Sequence, residues 1–384
     1  MTEYRYRADE LLVHVDDCDL IQTELAAQGY RRADRSASLW RFVGEPAGRA
    51  VPELLAGLRA RHGEGLRVSP NHVFGCDRII WGWLHPRATP HTLPALPALP
   101  AGEDDVKVGV IDTGIVLHEG KPHPYIDGHV EFGPDDEDPV TRDSEGNPTG
   151  TDGHGTFVTG LILHEAPNAT VYMKGVIDKS TGDLEDLAVA NAIDSLREEG
   201  VGLINLSFSG GTWEDSPPQA IENALRRLDQ DVVVVASAGN RGSSQVVFPA
   251  ALELGDRGAD MVGVGAALDR VELAPLVAVF SGYGPWVKAY ASGVDVVGPY
   301  FRPGYPTRFQ DGNPILEANG FAVWSGSSFA AAIVTGRIAA QMAGGVTAAV
   351  ALAELLDSGE AEKITVHDVN GEDTPPYFRV TPPD

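Results

Sequence analysis

Three glycine-flanked segments carry side chains suited to acyl transfer: Val110-Ile111-Asp112-Thr113-Gly114, Asp152-Gly153-His154-Gly155-Thr156 and Gly326-Ser327-Ser328-Phe329-Ala330. A serine hydroxyl is a poor nucleophile until a base takes its proton, and the imidazole that does so must be held in one tautomer by a carboxylate. Asp112, His154 and Ser328 are therefore read as orienting carboxylate, general base and nucleophile. Taken singly, each has a plainer reading: an aspartate turning the chain with Thr113-Gly114, a structural histidine, and a serine with Ser325 and Ser327 as alternatives. His154 is set apart as the one of eleven histidines with glycine on both sides, where backbones can approach closely.

In the order Asp, His, Ser, these segments resemble the subtilisin-like (subtilase) serine peptidases. A fourth segment, Ala236-Ser237-Ala238-Gly239-Asn240, resembles the family's oxyanion asparagine motif, and the resemblance runs from about Val106 to about Ala343. The alignment of Gly326-Ser327-Ser328-Phe329-Ala330 with the family motif makes Ser328 the nucleophile. It also implies that the Asn240 amide and the Ser328 backbone N–H hold the oxyanion. Loss of one such donor in a subtilisin costs about 2.7–4 kcal/mol. Ile204-Asn205-Leu206-Ser207-Phe208-Ser209-Gly210 resembles the strand that pairs with an extended peptide. Substrate contacts are accordingly expected from Ser207, Phe208, Ser209, Gly210, Ala238, Gly239 and Arg241. Arg241 follows Asn240, at the rim of the pocket for the residue before the cut bond, and implies a preference for acidic residues there. Two positions depart from the family: Ser209 replaces a usual glycine and Ala332 a usual proline.

The elements that must position these groups alternate as in a parallel sheet covered on both faces. Strands are expected over Val106–Ile111, Thr170–Gly175, Leu203–Leu206, Val232–Ala236 and Met261–Ala266, placing Asp112 at a strand's carboxyl end, where open sheets put their sites. Helices are expected over Leu184–Glu199, from a Ser216-Pro217 start to about Asp229, and over Ser328–Ala343 and Thr347–Leu356. Another should follow His154, because Phe157 to Leu163 is apolar.

The first eighty or so residues read differently. Strands at Leu11–Val15, Leu39–Val43 and Leu66–Val68, ending before Pro70, alternate with helices at Leu20–Ala27, closed by Gly29, and Val51–Arg61. This is a small open sheet with helices on one face, similar to a subtilisin-like propeptide. An unrelated appended domain is the alternative. His72 is read as structural. Prolines 86, 90, 94, 97 and 100 mark an extended connector, and processing is expected there or near Gly75–Arg78. The fold class is thus α/β, with a mostly parallel central sheet and helices on both faces, preceded by a propeptide-like α+β domain. The boundaries are 1–80, a connector 81–104, a catalytic domain 105–358 and a tail 359–384.

A formal charge of -26, from 55 acidic and 29 basic residues, argues against nucleic acid as a partner. No apolar run reaches membrane-span length, and no signal peptide is evident, so the expected location is the cytoplasm, with non-classical export left open. Cys18 and Cys76 imply no disulfide framework. The chemistry requires no cofactor. Asp135-Asp136-Glu137-Asp138, Asp143 and Glu145 are oxygen ligands of the kind calcium takes, but their order matches no calcium loop, and a solvated acidic loop is the preferred reading. The partners are an extended peptide or protein substrate and the N-terminal domain as inhibitor. Two rival readings share the site: a peptide maturase or cyclase, and a catalytically silent peptide-binding module.

Overall fold

The computed structural model describes residues 3–44, 50–75, 86–99, 106–138, 140, 151–177, 183–255, 258–270, 273–305, 319–357, 362–368 and 371–379. Cys76, Asp143, Glu145 and the residues just beyond Gly75 lie outside them, as do both ends of the expected connector.

The N-terminal part contains β1 (Arg5–His14), α1 (Cys18–Ala27), β2 (Tyr30–Arg35), β3 (Leu39–Gly44), α2 (Val51–His62) and β4 (Val68–Phe74). These strands form an antiparallel sheet in the order β2-β3-β1-β4. Successive strand residues point to opposite faces, and β1 uses both. Leu11 and Val13 join Ile21, Leu25, Leu54 and Leu58 in a core under the two helices. Leu12 faces the other way, with Leu39 and Phe74, into a core built around Ile193, Leu196 and Ile221. The strand expected to stop before Pro70 runs through it. Proline lacks an N–H, and the register of β1 on β4 shifts between Tyr6 and Leu11, next to the Leu11–Pro70 pair, where the ladder loses the least.

The rest of the chain supplies β5 (Arg87–Ala88), β6 (Val106–Asp112), β7 (Val130–Glu131), α3 (His154–Glu165), β8 (Ala169–Gly175), β9 (Leu184–Glu185), α4 (Asp186–Glu198) and β10 (Leu203–Leu206). Then come α5 (Gln219–Leu225), β11 (Val233–Ser237), β12 (Asp260–Leu268), β13 (Leu276–Val277), β14 (Val287–Ser292), β15 (Val296–Pro299) and β16 (Phe321–Trp324). The last elements are α6 (Ser327–Gln341), α7 (Ala348–Asp357), β17 (Glu362–Lys363), β18 (Val366–Asp368), β19 (Gly371–Asp373) and β20 (Pro376–Phe378).

The large sheet has the order β17-β20-β14-β12-β11-β10-β6-β8-β7. It is parallel from β20 to β7, with β17 and the side strand β13 antiparallel. Phe157 and Leu161 of α3 and Ile333 and Ile338 of α6 cover one face. Leu187 and Ile193 of α4 and Ile221 and Leu225 of α5 cover the other. From β6 the chain order runs outward to β8 on one side and to β10, β11 and β12 on the other. The carboxyl ends of β6 and β10 therefore flank the point where strand order reverses, where such sheets open a crevice.

Four sequence readings change. The helix expected from Leu184 starts at Asp186, because Leu184 and Glu185 extend instead and pair with Phe74 and Val73 of β4. Ser216-Pro217 lies ahead of α5 rather than capping it. The Asp186 carboxylate of α4 takes the Ile221 N–H (2.9 Å) and the Ala220 N–H (3.4 Å) of that helix's first turn, so a distant group does the work of a local cap. The proline-rich connector is docked as well as extended: Ala88 pairs with Ala322 of β16, Leu93 is buried, and Asn319 Nδ2 donates to the carbonyls of Pro90 (3.2 Å) and His91 (3.1 Å). The segment set apart as a tail, 359–384, supplies β20, with Tyr377 level with Tyr290 of β14. No helix among the described residues is long and apolar enough to cross a membrane.

Leu12→Asp places a charge on the docked face of the N-terminal sheet and leaves Leu11 and Val13 in their own core. Amides of β9 are expected to exchange hydrogen faster in this variant while the β1–β3 ladder keeps its protection. Equal loss in both ladders would mean that Leu12 holds the N-terminal unit itself together.

Candidate active site

β6 delivers Asp112 as its last residue, with no exposure to solvent. One carboxylate oxygen, Oδ1, accepts the Thr113 N–H at 2.7 Å and stands 2.7 Å from His154 Nδ1. A carboxylate can only accept, so Nδ1 carries the hydrogen and Nε2 is left as the basic nitrogen, the arrangement a general base requires. His154 opens α3, reached through Gly153 at φ 78°. The flanking glycines are needed for space: a Cβ on Gly153 would come within 2.7 Å of the Tyr300 ring, and one on Gly155 within 2.4 Å of the Gly114 carbonyl. Trp324 meets the imidazole edge-on at 5.6 Å between centroids, and Phe329 lies at 5.5 Å. Since Phe329 follows Ser328, this contact sets the imidazole beside the start of α6.

Ser328 is the second residue of α6, where backbone N–H groups are still unpaired and the helix dipole favours negative charge. The helix runs unbroken with a fully buried Ala332 in the place of the usual proline. The Ser328 hydroxyl donates to the Ser207 carbonyl, just beyond the end of β10, at 3.1 Å. Ser207 returns the bond, its own hydroxyl donating to the Ser328 carbonyl (3.1 Å) and accepting from Asn205 Nδ2 (2.8 Å). Asn205 Oδ1 in turn takes the Thr335 hydroxyl at 3.0 Å. This buried chain ties two turns of α6 to β10. From the other side Asn240 Oδ1 accepts the Ser327 N–H at 2.8 Å, leaving Nδ2 as the donor end of the amide.

The residues expected to meet substrate divide by role. Ser209 presents its backbone to the cleft and exchanges two hydrogen bonds with Gly75, N–H to carbonyl in both directions (3.1 and 3.2 Å). Gly210 pairs in the same way with Phe248. The Phe208 side chain is buried against Phe74, 6.0 Å between ring centroids, and faces the core. Ala238, Gly239 and Arg241 line an open recess together with Ser243, Gln245, Val247 and Gly282. His72 is structural in its contacts, Nε2 accepting the Trp213 N–H at 3.1 Å.

Asp138 is a site residue that sequence reasoning placed in a solvated loop. It is buried instead. Its Oδ2 takes the Thr113 hydroxyl (2.9 Å) and the Gly153 N–H (2.9 Å), and its Oδ1 takes the Val140 N–H (3.1 Å). Thr113 Oγ1 also accepts the Gly155 N–H at 2.9 Å. One carboxylate thus ties the loop of Asp112 to the start of the His154 helix, because the loop amides need an acceptor there. Asp136 is spent similarly, on the N–H groups of Gly133 and Gly175. Oxygens aimed at N–H donors do not suit a cation, and no group of three or more metal-ligating side chains occurs among the described residues.

The subtilase family model matches residues 103–350, the stretch that holds Asp112, His154, Asn240 and Ser328. The chain is a subtilase. Its similar proteins include the thermophilic serine proteinase of Bacillus sp. (strain AK1), 31% identical over 247 residues, 61% of this chain and 51% of that protein. Subtilisin Savinase of Lederbergia lenta is 32% identical over 204 residues, 51% of this chain and 66% of that protein. This subtilase spans about half the length of the first of these. The crystal structure of fervidolysin from Fervidobacterium pennivorans, a keratinolytic enzyme related to subtilisin, shares the fold at a TM-score of 0.61 and 20% identity, covering 89% of this chain and 56% of that one. Within the subtilase frame, the Asn205–Thr335 pair had only one sequence signal, a polar residue amid apolar neighbours, and Asp138, at the end of an acidic run, had none.

Burial, with the Asp152 carboxylate nearby, lifts the Asp138 carboxyl to about 7, against the hydrogen bonds it accepts. A carboxyl raised on folding binds protons more tightly in the native state, so its contribution to stability is full at low pH and is lost as pH rises from about 4 through about 7. The advantage of the wild type over Asp138→Asn is expected to shrink across that interval, by at most about 4 kcal/mol, in guanidinium unfolding at pH 5 and pH 8. A constant difference would mean a carboxylate charged throughout.

Proposed function

We propose that this chain is a serine endopeptidase that hydrolyses peptide bonds through an acyl-enzyme. The observation that carries the reading is the 2.7 Å contact of His154 Nδ1 with a fully buried Asp112 carboxylate, set against the helix start that bears Ser328. In the proposed cycle Ser328 turns its hydroxyl from the Ser207 carbonyl to His154 Nε2. His154 takes the proton as Ser328 attacks the substrate carbonyl, and Asp112 stabilises the imidazolium. Asn240 Nδ2 and the Ser328 backbone N–H receive the oxyanion. His154 then gives its proton to the leaving amine, and water, deprotonated by the same imidazole, releases the acyl group. These steps draw only on side chains and backbone of the chain, with an extended peptide as substrate.

The N-terminal region is proposed as the inhibitor of this site. Its β4 is followed by Gly75, whose exchange of hydrogen bonds with Ser209 covers the strand that a substrate would use. Arg7 meets Glu185 at 2.5 Å and Arg5 meets Asp183 at 2.6 Å, so the hold is partly ionic. The hydrogen bond that engages the Ser328 hydroxyl with the Ser207 carbonyl favours the binding module as the second reading.

Wild type and Ser328→Ala are to be treated with a fluorophosphonate probe while intact mass is followed. Labelling of wild type alone, with mass loss near one N-terminal unit, is the expected result. Cleaved peptides should gain one water, whereas a cyclase gives products without it. Absence of labelling in both proteins, with the N-terminal region detached, would overturn the peptidase reading in favour of the binding module.

A further inference from the structure

The paired backbone of Gly75 and Ser209 fixes both the direction and the register in which this cleft holds a peptide. Gly75 N–H donates to the Ser209 carbonyl (3.2 Å) and Ser209 N–H to the Gly75 carbonyl (3.1 Å), an antiparallel pair. In an antiparallel ladder, each step forward on one strand is a step back on the other. A peptide with one residue opposite Ser209 therefore has the residue two positions later opposite Ser207. The Ser207 carbonyl is the group that Ser328 Oγ touches, at 3.1 Å. That residue is the one presented to the nucleophile.

The recess beside this position is lined by Ala238, Gly239, Arg241, Val247 and Gly282. It adjoins the peptide strand through Val247, whose neighbour Phe248 exchanges hydrogen bonds with Gly210 (2.9 and 3.0 Å). It adjoins the oxyanion side through Gly239, the neighbour of Asn240. Ser243 and Gln245 complete its lining, and its one ionised side chain is the Arg241 guanidinium, a fixed fork of N–H donors that matches a carboxylate. Among the described residues Arg241 makes no hydrogen bond or ion pair, in a chain where acidic groups outnumber basic ones 55 to 29.

We propose that Arg241 makes this site select a carboxylate side chain, aspartate or glutamate, in the residue whose carbonyl Ser328 attacks. The inference rests on the endopeptidase reading for the attack, and on the recess alone for the preference. The chain's own sequence agrees with it. Two positions after Gly75 the sequence has a carboxylate residue, Asp77, which lies outside the described residues.

Full-length wild type, Arg241→Gln and Arg241→Glu are to be assayed with tetrapeptidyl aminocoumarins that differ only in the last residue: Asp, Glu, Asn, Gln, Leu or Lys. The same peptides as free acids are to be titrated into Ser328→Ala with and without Arg241→Gln, each also carrying Leu12→Asp so that the N-terminal sheet no longer holds Gly75 against Ser209. Arg241 is solvent-exposed, so a preference of about fivefold in kcat/KM for Asp over Asn, and for Glu over Gln, is expected at low salt. It should weaken with added salt, vanish in Arg241→Gln and turn toward Lys in Arg241→Glu. Turnover that favours Leu, or an acidic preference unchanged in Arg241→Gln, overturns the role of Arg241 and leaves the peptidase reading standing. Acid-selective binding that depends on Arg241, without turnover, supports the recess and counts against the peptidase reading. Neither turnover nor selective binding overturns both.

Discussion

The hydrogen bond between His154 Nδ1 and Asp112 Oδ1 is the interaction on which the rest of the site depends. It crosses from the end of a strand to the start of a helix, and each partner alone would be a poor occupant of its place. A carboxylate with no exposure is costly unless its oxygens are used, and both the Thr113 N–H and the imidazole are spent on one of them. The glycines around His154 serve that one distance. Gly153 turns the chain through the left-handed region, and Gly155 lets the helix backbone sit against the Gly114 carbonyl. Trp324 and Phe329 then prevent the ring from swinging away.

Ser328 is held by an independent system. The Thr335–Asn205–Ser207 chain lies under α6 and answers to β10, whereas the histidine answers to β6 through Asp112 and Asp138. The two systems meet because the sheet reverses its order between those strands. Neither needs a loop of its own making to reach the other, which explains how residues separated by up to 216 positions in sequence, Asp112 and Ser328, face one crevice. Cross-strand and helix packing supply the precision, and the short glycine segments only bend the chain at the end of each rigid element.

Much of this was legible in the residues. The β-branched runs at Val106–Ile111 and Val233–Val235 announce buried parallel strands, and Asp112, His154, Asn240 and Ser328 sit in local patterns whose spacing survives as structure. What stayed hidden depends on partners far away in the chain. Pro70 reads as a strand terminator because its missing N–H is a local fact, while the register shift that tolerates it belongs to β1. Asp186 gives no hint that its carboxylate caps α5, because that helix is distant in sequence. Asp138 lies in an acidic run whose composition argues for solvent, and only the loop amides it satisfies draw it inside. Pro376–Phe378 is too short to announce a strand until β14 offers it an edge.

The pairing of β5 with β16 bears on what any cut between the two parts would leave behind. Arg87 and Ala88 lie beside Val323 and Ala322, only a few residues ahead of Ser328, and Arg87 also reaches Asp295. A break on the N-terminal side of β5 would leave the new chain end stitched to the body that carries Ser328. A break on its C-terminal side would strip a strand from β16, while Leu93, which follows β5, would stay in the core of the larger body. The first strand after the docked sheet therefore behaves as a mooring: it belongs mechanically to the larger body even though it precedes that body's first long strand, and it decides which side of the severed chain inherits an intact site.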